Sequence, residues 1–429
     1  MTALVINCII GGGIFGLPVE LTHLLGRASP FAMILAALGM AVILSCFAEV
    51  ASQFSEPGGA YLYVRTAFGR FAGMQISWFD LLNMIATVAA LAKLFVDYLA
   101  TFLPSNLTSW NRAMVMAVLI AIPAAANYRG VRSGAKSSSV MTLAKLLPLA
   151  LLILVGVGRF AQHPQIIHPS EIASHGLANW VRAMALLLFA FGGWEDSLLP
   201  TGEIREPRRT IPFGLGMGLL GCAAIYMLLQ FIVVATIGTK NTDAPLTATA
   251  SVLLGGGGAA FVEIAALVSI YGWISASMLY APRLAYSLSA QGYFPSVFAK
   301  LHPRFHTPTA AIVFYAVTGW ALASSGTFLW LVALTSGTMM ILYAGVCASL
   351  IRLRMLHPKA DAFRIPFGPV LGVVGVAIAL ALMTALKSRE LLLMCITALV
   401  ATANWLWARR HHLESEAKAS ATAAPLSLP

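Results

Sequence analysis

The sequence predicts an all-α integral membrane protein of about twelve transmembrane helices, with the first and the sixth interrupted. Three observations lead there. Of the 429 residues, 59% are hydrophobic and only 10% charged, and the mean hydropathy is +0.83, which excludes an ordinary soluble domain. Apolar stretches of about 20 residues, the length that crosses a bilayer, recur along nearly the whole chain. Two of these stretches are broken by glycines, one at Ile9-Ile10-Gly11-Gly12-Gly13-Ile14-Phe15-Gly16-Leu17-Pro18 and one at Phe189-Ala190-Phe191-Gly192-Gly193-Trp194-Glu195. In hydrocarbon every backbone polar group needs a partner, so unwound backbone survives only where it lines a cavity or is buried in protein. Two such breaks, at corresponding places in two chain halves, are the pattern of a secondary transporter with its site near the bilayer midplane.

Taken in order, the expected spans are 3–25, 30–52, 71–102, 112–127, 138–158, 178–200, 211–237, 258–284, 309–325, 328–351, 367–386 and 390–408. The third is long enough to tilt strongly. No basic region or small-residue cleavage site precedes Pro18, so a cleaved signal peptide is not expected. The first span begins almost at Met1, which implies either a minimal cytosolic tail or a true start upstream. Cys8, Cys46, Cys222, Cys347 and Cys395 all fall within spans and read as small packing residues. Neither a disulfide framework nor a metal site is expected. The tail, 411–429, is rich in Ala and Ser and is expected to be disordered.

The net charge of +11 follows topology rather than nucleic-acid binding. Alternate loops and the tail collect 18 basic residues: Arg65 and Arg70; Arg129, Arg132 and Lys136; Arg205, Arg208 and Arg209; Arg283, Lys300 and Arg304; Arg352, Arg354, Lys359 and Arg364; Arg409, Arg410 and Lys418. The opposite loops and their flanks hold 7: Arg27, Arg112, Arg159, Arg182, Lys240, Lys387 and Arg389. Basic loops stay inside, so both termini are expected in the cytoplasm of a multi-pass inner (plasma) membrane protein.

Beyond the breaks, the chain carries a turn, Ser55-Glu56-Pro57-Gly58-Gly59-Ala60-Tyr61, and a loop, Gly202-Glu203-Ile204-Arg205-Glu206-Pro207-Arg208-Arg209-Thr210-Ile211-Pro212. Further on come Tyr280-Ala281-Pro282-Arg283, Gln291-Gly292-Tyr293-Phe294-Pro295 and His302-Pro303-Arg304-Phe305. Together, and in this order, these segments resemble the amino acid–polyamine–organocation (APC) superfamily of permeases. The resemblance implies a 5+5 inverted repeat, with a first repeat over 1–158, a second over 178–351 and two appended helices over 367–408.

Among candidate site residues, Gly11, Gly12 and Gly13 permit unwinding. The N–H groups of Gly12, Gly13 and Ile14 would open a half-helix whose positive end suits a carboxylate. Three consecutive glycines do not form one helix-packing face. The resemblance places the substrate amine near carbonyls of Ile9, Ile10, Phe189 and Ala190. It also makes Phe189 an outer lid, the alternative being plain packing. Phe189, Phe191, Gly192 and Trp194 are expected to form the pocket wall. Lys145 is an intramembrane lysine, which points to function, against the alternative of snorkelling to the surface. In sodium-independent members of the superfamily a lysine at this place stands where a sodium ion would be, here bridging the first break to Ser275 and Ser277. A buried lysine can also carry a transported proton. Glu195 directly follows the second break, where its protonation could be linked to substrate binding; a structural hydrogen bond to backbone is the alternative. Asp196 is less specific. Lys93 and Asp97, at i and i+4, are expected to pair, while Glu20, Asp80 and Glu263 are read as structural. Arg205, Arg208 and Arg209 beside Glu203 and Glu206 could form an inner salt-bridge gate.

The expected activity is alternating-access transport of an amino acid, sodium-independent, by proton symport or exchange. With Glu195 as the only obvious charge beside the breaks, a neutral amino acid is the expected substrate. The alternatives are a non-transporting amino acid sensor on the same fold, or a polyamine or cationic amino acid exchanger. No paired carboxylates, metal ligands or nucleophile at compatible spacing suggest an enzyme. The implied partners are the amino acid substrate, a proton and the lipid bilayer, with the chain working as a monomer or homodimer. No nucleic acid, cofactor or metal is implied.

Overall fold

The computed structural model describes residues 1–54, 58–102, 108–130, 135–162, 176–198, 207–356 and 362–422. The helices are α1 (Thr2–Ile9), α2 (Gly12–Gly16), α3 (Pro18–Leu25), α4 (Ser29–Ala51), α5 (Gly59–Phe68), α6 (Arg70–Leu99), α7 (Ser109–Tyr128), α8 (Ala135–Gln162), α9 (Leu177–Phe191), α10 (Pro207–Thr236), α11 (Pro245–Ala290), α12 (Thr309–Ser325), α13 (Phe328–Leu356), α14 (Gly368–Met383) and α15 (Ser388–Thr422). No strand occurs among the described residues.

Each expected span falls on an apolar helix or on a run of short ones. Among the described residues, nine helical stretches are long and apolar enough to cross a membrane, and Thr2–Gly16, Thr309–Ser325 and Gly368–Met383 are shorter apolar helices. Three features depart from the sequence reading. α11 begins at Pro245, well before the expected 258, and is two helices end to end: Gly255, at φ 73° and ψ −171°, leaves helical geometry within a four-glycine run. α5, Gly59–Phe68, is a helix where none was expected. α15 continues to Thr422, past residue 411 where disorder was expected to begin.

The centre of the bundle is α6 packed against α13. In their most apolar stretches 78% and 72% of residues are buried, against 22% for α7 and 17% for α15, which therefore lie at the periphery. Ala86, Ala89, Ala90 and Ala92 of α6 are fully buried; small side chains let neighbouring backbones approach where no water drives association. α4 packs on α10, α13, α14 and α9, and α1 sits between α8 and α10.

Ion pairs tie the ends of these helices. Glu49 of α4, buried, accepts from Arg354 Nε at 2.7 Å and Nη2 at 2.6 Å, and from the Ile365 N–H at 2.9 Å. This bidentate, charge-assisted clamp joins α4 to the end of α13 and to the segment before α14. Asp97 pairs with Arg112 at 2.5 Å rather than with Lys93, because α7 brings a guanidinium within reach. Glu20 pairs with Arg182 at 3.3 Å.

Candidate functional site

α1 ends at Ile9. Ile10 (φ −73°, ψ 89°) and Gly11 (φ −124°, ψ −147°) run extended before the helix resumes at Gly12. α9 ends at Phe191; Gly192 is extended, Gly193 takes φ 91°, and a 3₁₀ turn follows over Trp194–Leu198. The two breaks lie against each other, and glycine is what permits it. A Cβ on Gly13 would stand 2.5 Å from Ala190 Cα, and one on Gly193 would stand 2.7 Å from the Cys8 carbonyl oxygen. Gly193 also occupies the left-handed region that disfavours a side chain.

Side chains from neighbouring helices satisfy the opened backbone. Tyr226 donates its hydroxyl to Ile9 O at 2.9 Å. Lys145 Nζ donates to Asn7 O and to Ile10 O, both at 3.3 Å. Lys145 is only 4% exposed, so its ammonium stays inside the bundle and does not snorkel. Of the two serines expected to complete its bridge, Ser277 donates to Ile274 O at 2.9 Å, and the buried Ser275 hydroxyl has no hydrogen-bond partner among the described residues. Glu195 Oε2 accepts from the Gly193 N–H at 3.0 Å, and the Tyr343 hydroxyl lies 3.3 Å from both carboxylate oxygens. The Glu195 carboxyl therefore pins the second break. Asp196 accepts from the Tyr280 hydroxyl at 2.7 Å.

Between the breaks lies a cavity of about 40 Å³, room for roughly three waters. Of the residues expected at the site, Gly11, Gly12, Gly13, Phe189, Gly192 and Glu195 line it. Ile10, Ile14, Ala190, Phe191 and Trp194 do not. Phe191 packs on Tyr226, and Trp194 is fully buried against Phe47 and Tyr343, because the 3₁₀ turn rotates the indole behind the wall. The expectation that Phe191 and Trp194 form the pocket wall is corrected accordingly.

One face of the cavity comes from α6, whose residues the sequence reading left aside. Asp80, Asn83, Met84, Thr87 and Leu91 all line it. Their i, i+3, i+4, i+7, i+11 spacing is one helical stripe, and three polar residues, Asp80, Asn83 and Thr87, on one stripe of a membrane span were the available signal. Asn83 donates to Thr335 O at 3.2 Å and to Thr338 Oγ1 at 3.0 Å, fixing the stripe to α13. Asp80 has no hydrogen-bond or ion-pair partner among the described residues and faces the same cavity as Glu195 and Asp196. Three carboxyl groups therefore surround one small space.

Phe189 covers this cavity on one side, its ring meeting Phe328 edge-on with centroids 6.3 Å apart. Phe328 in turn lines a second, polar cavity of about 430 Å³ that contains Glu20, His23, Lys93, Asp97 and Asp243. Arg205, Glu203 and Glu206 of the expected inner gate lie outside the described residues; Arg208 and Arg209 stand exposed at the start of α10.

A family described as amino acid permease matches residues 1–402. The chain belongs to that family, within the APC superfamily. This permease is 27% identical to the methylthioribose transporter of Bacillus subtilis (strain 168), over 96% of this chain and 93% of the relative. It is 28% identical to the serine/threonine exchanger SteT of the same organism, over 72% of each chain. To a probable polyamine transporter of Arabidopsis thaliana it is 28% identical, over 75% of this chain and 64% of the relative. The family and these relatives are transporters, so this is a multi-pass membrane permease for a small organic solute.

Proposed function

We propose that this permease carries a small amine-bearing solute with net positive charge, a cationic amino acid or a diamine, across the cytoplasmic membrane by alternating access. The observation that carries this reading is the juxtaposition of two helix breaks around a cavity that also holds Asp80, Glu195 and Asp196. A carboxylate inside a membrane protein is costly without a counter-charge. Asp196 has Tyr280 and Glu195 has Gly193 and Tyr343, but Asp80 has no hydrogen-bond or ion-pair partner among the described residues, so an entering cation would meet its first strong acceptor there. The N–H groups at the start of α2 would take a substrate carboxylate. Of the carbonyls expected for the amine, Ile9 O and Ile10 O each already accept one bond, from Tyr226 and Lys145. The acidic face opposite thus becomes the stronger partner for an ammonium.

In this reading the chain crosses the membrane twelve times with both termini inside, and helices 1–5 and 6–10 form an inverted repeat. Lys145 holds the first break closed without sodium. A second reading, a small neutral amino acid moved with protons that balance the carboxyls, is favoured by the narrowness of the cavity and by the similarity to a serine/threonine exchanger. Counterflow in proteoliposomes separates these. Radiolabelled lysine or putrescine should exchange against internal substrate without sodium, and alanine and serine should not. Exchange of serine alone would establish the second reading; binding without any counterflow would establish a sensor; and a strict sodium requirement would remove the role given to Lys145.

A further inference from the structure

We propose that the groove between α4 and α10 is a binding site for one anionic phospholipid of the cytoplasmic leaflet. The groove is a cavity of about 600 Å³. On α10 it is lined by Pro212, Gly216, Leu219, Leu220, Ala223 and Met227, one stripe of a helix. From Pro212 to Met227 the stripe rises about 22 Å at 1.5 Å per residue, enough to follow one acyl chain through a leaflet whose hydrocarbon is about 15 Å deep.

What distinguishes this groove is the charge at one end. Arg208 lies four residues before Pro212 and Arg209 seven before Gly216, so both continue the lining stripe beyond the apolar part, and both are exposed. Phe363 and Ile365 close the same end of the groove, with the exposed Arg364 between them. The Glu49–Arg354 clamp fixes that segment: the Ile365 N–H donates to Glu49 at 2.9 Å and Ile365 O accepts from Arg354 at 2.7 Å. Three exposed arginines therefore stand in sequence beside the residues at one end of an apolar channel, the end the basic-loop pattern assigns to the cytoplasm, where anionic lipids gather. Arginine suits a phosphodiester because its planar fork of donors matches two oxygens. The linings of this groove and of a second apolar groove, of about 370 Å³ between α4, α9 and α14, are both uncharged; the first differs in having Arg208, Arg209 and Arg364 close in sequence to the residues at its end.

Native mass spectrometry of the intact chain, purified in detergent with equal amounts of phosphatidylglycerol and phosphatidylcholine of matched chains, tests this. The wild type should retain phosphatidylglycerol preferentially. Each of Arg208→Gln, Arg209→Gln and Arg364→Gln should lower the preference about fivefold, and together they should bring it near parity. Gly216→Leu has open space around its new Cβ. It should displace the acyl chain and reduce bound lipid with all three arginines present. Millimolar inorganic phosphate should not release the lipid. Equal retention of the two lipids by the wild type, an undiminished preference in the triple variant, release by phosphate, or a protein dimer that Gly216→Leu dissociates would each overturn the proposal. The comparison on the wild type needs no variant to fold.

Discussion

Replacing Gly13 by alanine tests the contact on which the site is built. The new Cβ would lie 2.5 Å from Ala190 Cα and 2.9 Å from its Cβ, so α2 and the end of α9 must separate by about 0.9 Å to reach ordinary contact at 3.4 Å. The obstacle is backbone, which no rotamer change removes, and overpacking of this kind costs about 1–3 kcal/mol. The retreat also moves the start of α2 away from the second break, and misplacement of binding groups by about 1 Å costs on the order of a hundredfold in rate. Transport should therefore fall between tenfold and a hundredfold, with a lowered thermal midpoint. Initial uptake rates in proteoliposomes, normalised to inserted protein, measure the first, and tryptophan-fluorescence melting measures the second. Gly39→Ala is the control: its Cβ meets nothing within 4 Å, so stability and uptake should match the wild type or exceed it slightly. Wild-type uptake and melting in Gly13→Ala would refute the claim that the two breaks must touch.

Lys145→Met removes the donor from Asn7 O and Ile10 O; with each stranded carbonyl costing about 1–3 kcal/mol, uptake should drop at least tenfold, and unchanged uptake would make the lysine dispensable. Asp80→Asn keeps the side-chain volume but removes the charge; KM for a cationic substrate should rise roughly tenfold to a hundredfold, whereas an unaltered KM would detach Asp80 from the substrate. Glu49→Gln breaks a pair whose acid is 1% exposed, so the melting midpoint should reflect a loss of about 3 kcal/mol, read by chemical or thermal denaturation. Phe328→Ala removes the outer half of the Phe189–Phe328 contact, and in a Cys395→Ser background an impermeant thiol reagent should reach Cys8, which lines the cavity, severalfold faster; an unaltered labelling rate would mean the aromatic pair is not the barrier.

The positions of the helices were legible because bilayer length and apolar composition act locally along the chain. The breaks were legible for the same reason: three glycines in a row, and a glycine pair before Trp194, disfavour helix wherever they stand. Lys145 could be singled out because a lysine in an apolar span is conspicuous. Asp80 was not, since a single acid in a long span looks the same whether it faces a cavity, a neighbouring helix or a lipid headgroup. Trp194 was misplaced for a related reason: its side-chain direction depends on the φ of 91° at Gly193 and on a 3₁₀ turn, which residue types do not dictate. The Asp97 pairing shows the same limit, because i, i+4 spacing offered Lys93 while α7 delivered Arg112.

From composition and order of residues alone follow the membrane class, the approximate spans, the two points where backbone must find unusual partners, and a charge pattern that favours one orientation. These depend on free energies that each residue carries wherever it sits in the chain. Which side chains share the cavity did not follow. It took the packing of α6 on α13 to turn the Asp80–Asn83–Thr87 stripe inward, and the approach of Gly13 to Ala190 to set the two breaks face to face. Contacts between residues more than a hundred positions apart depend on helix rotation and register, and those are set by the whole bundle at once.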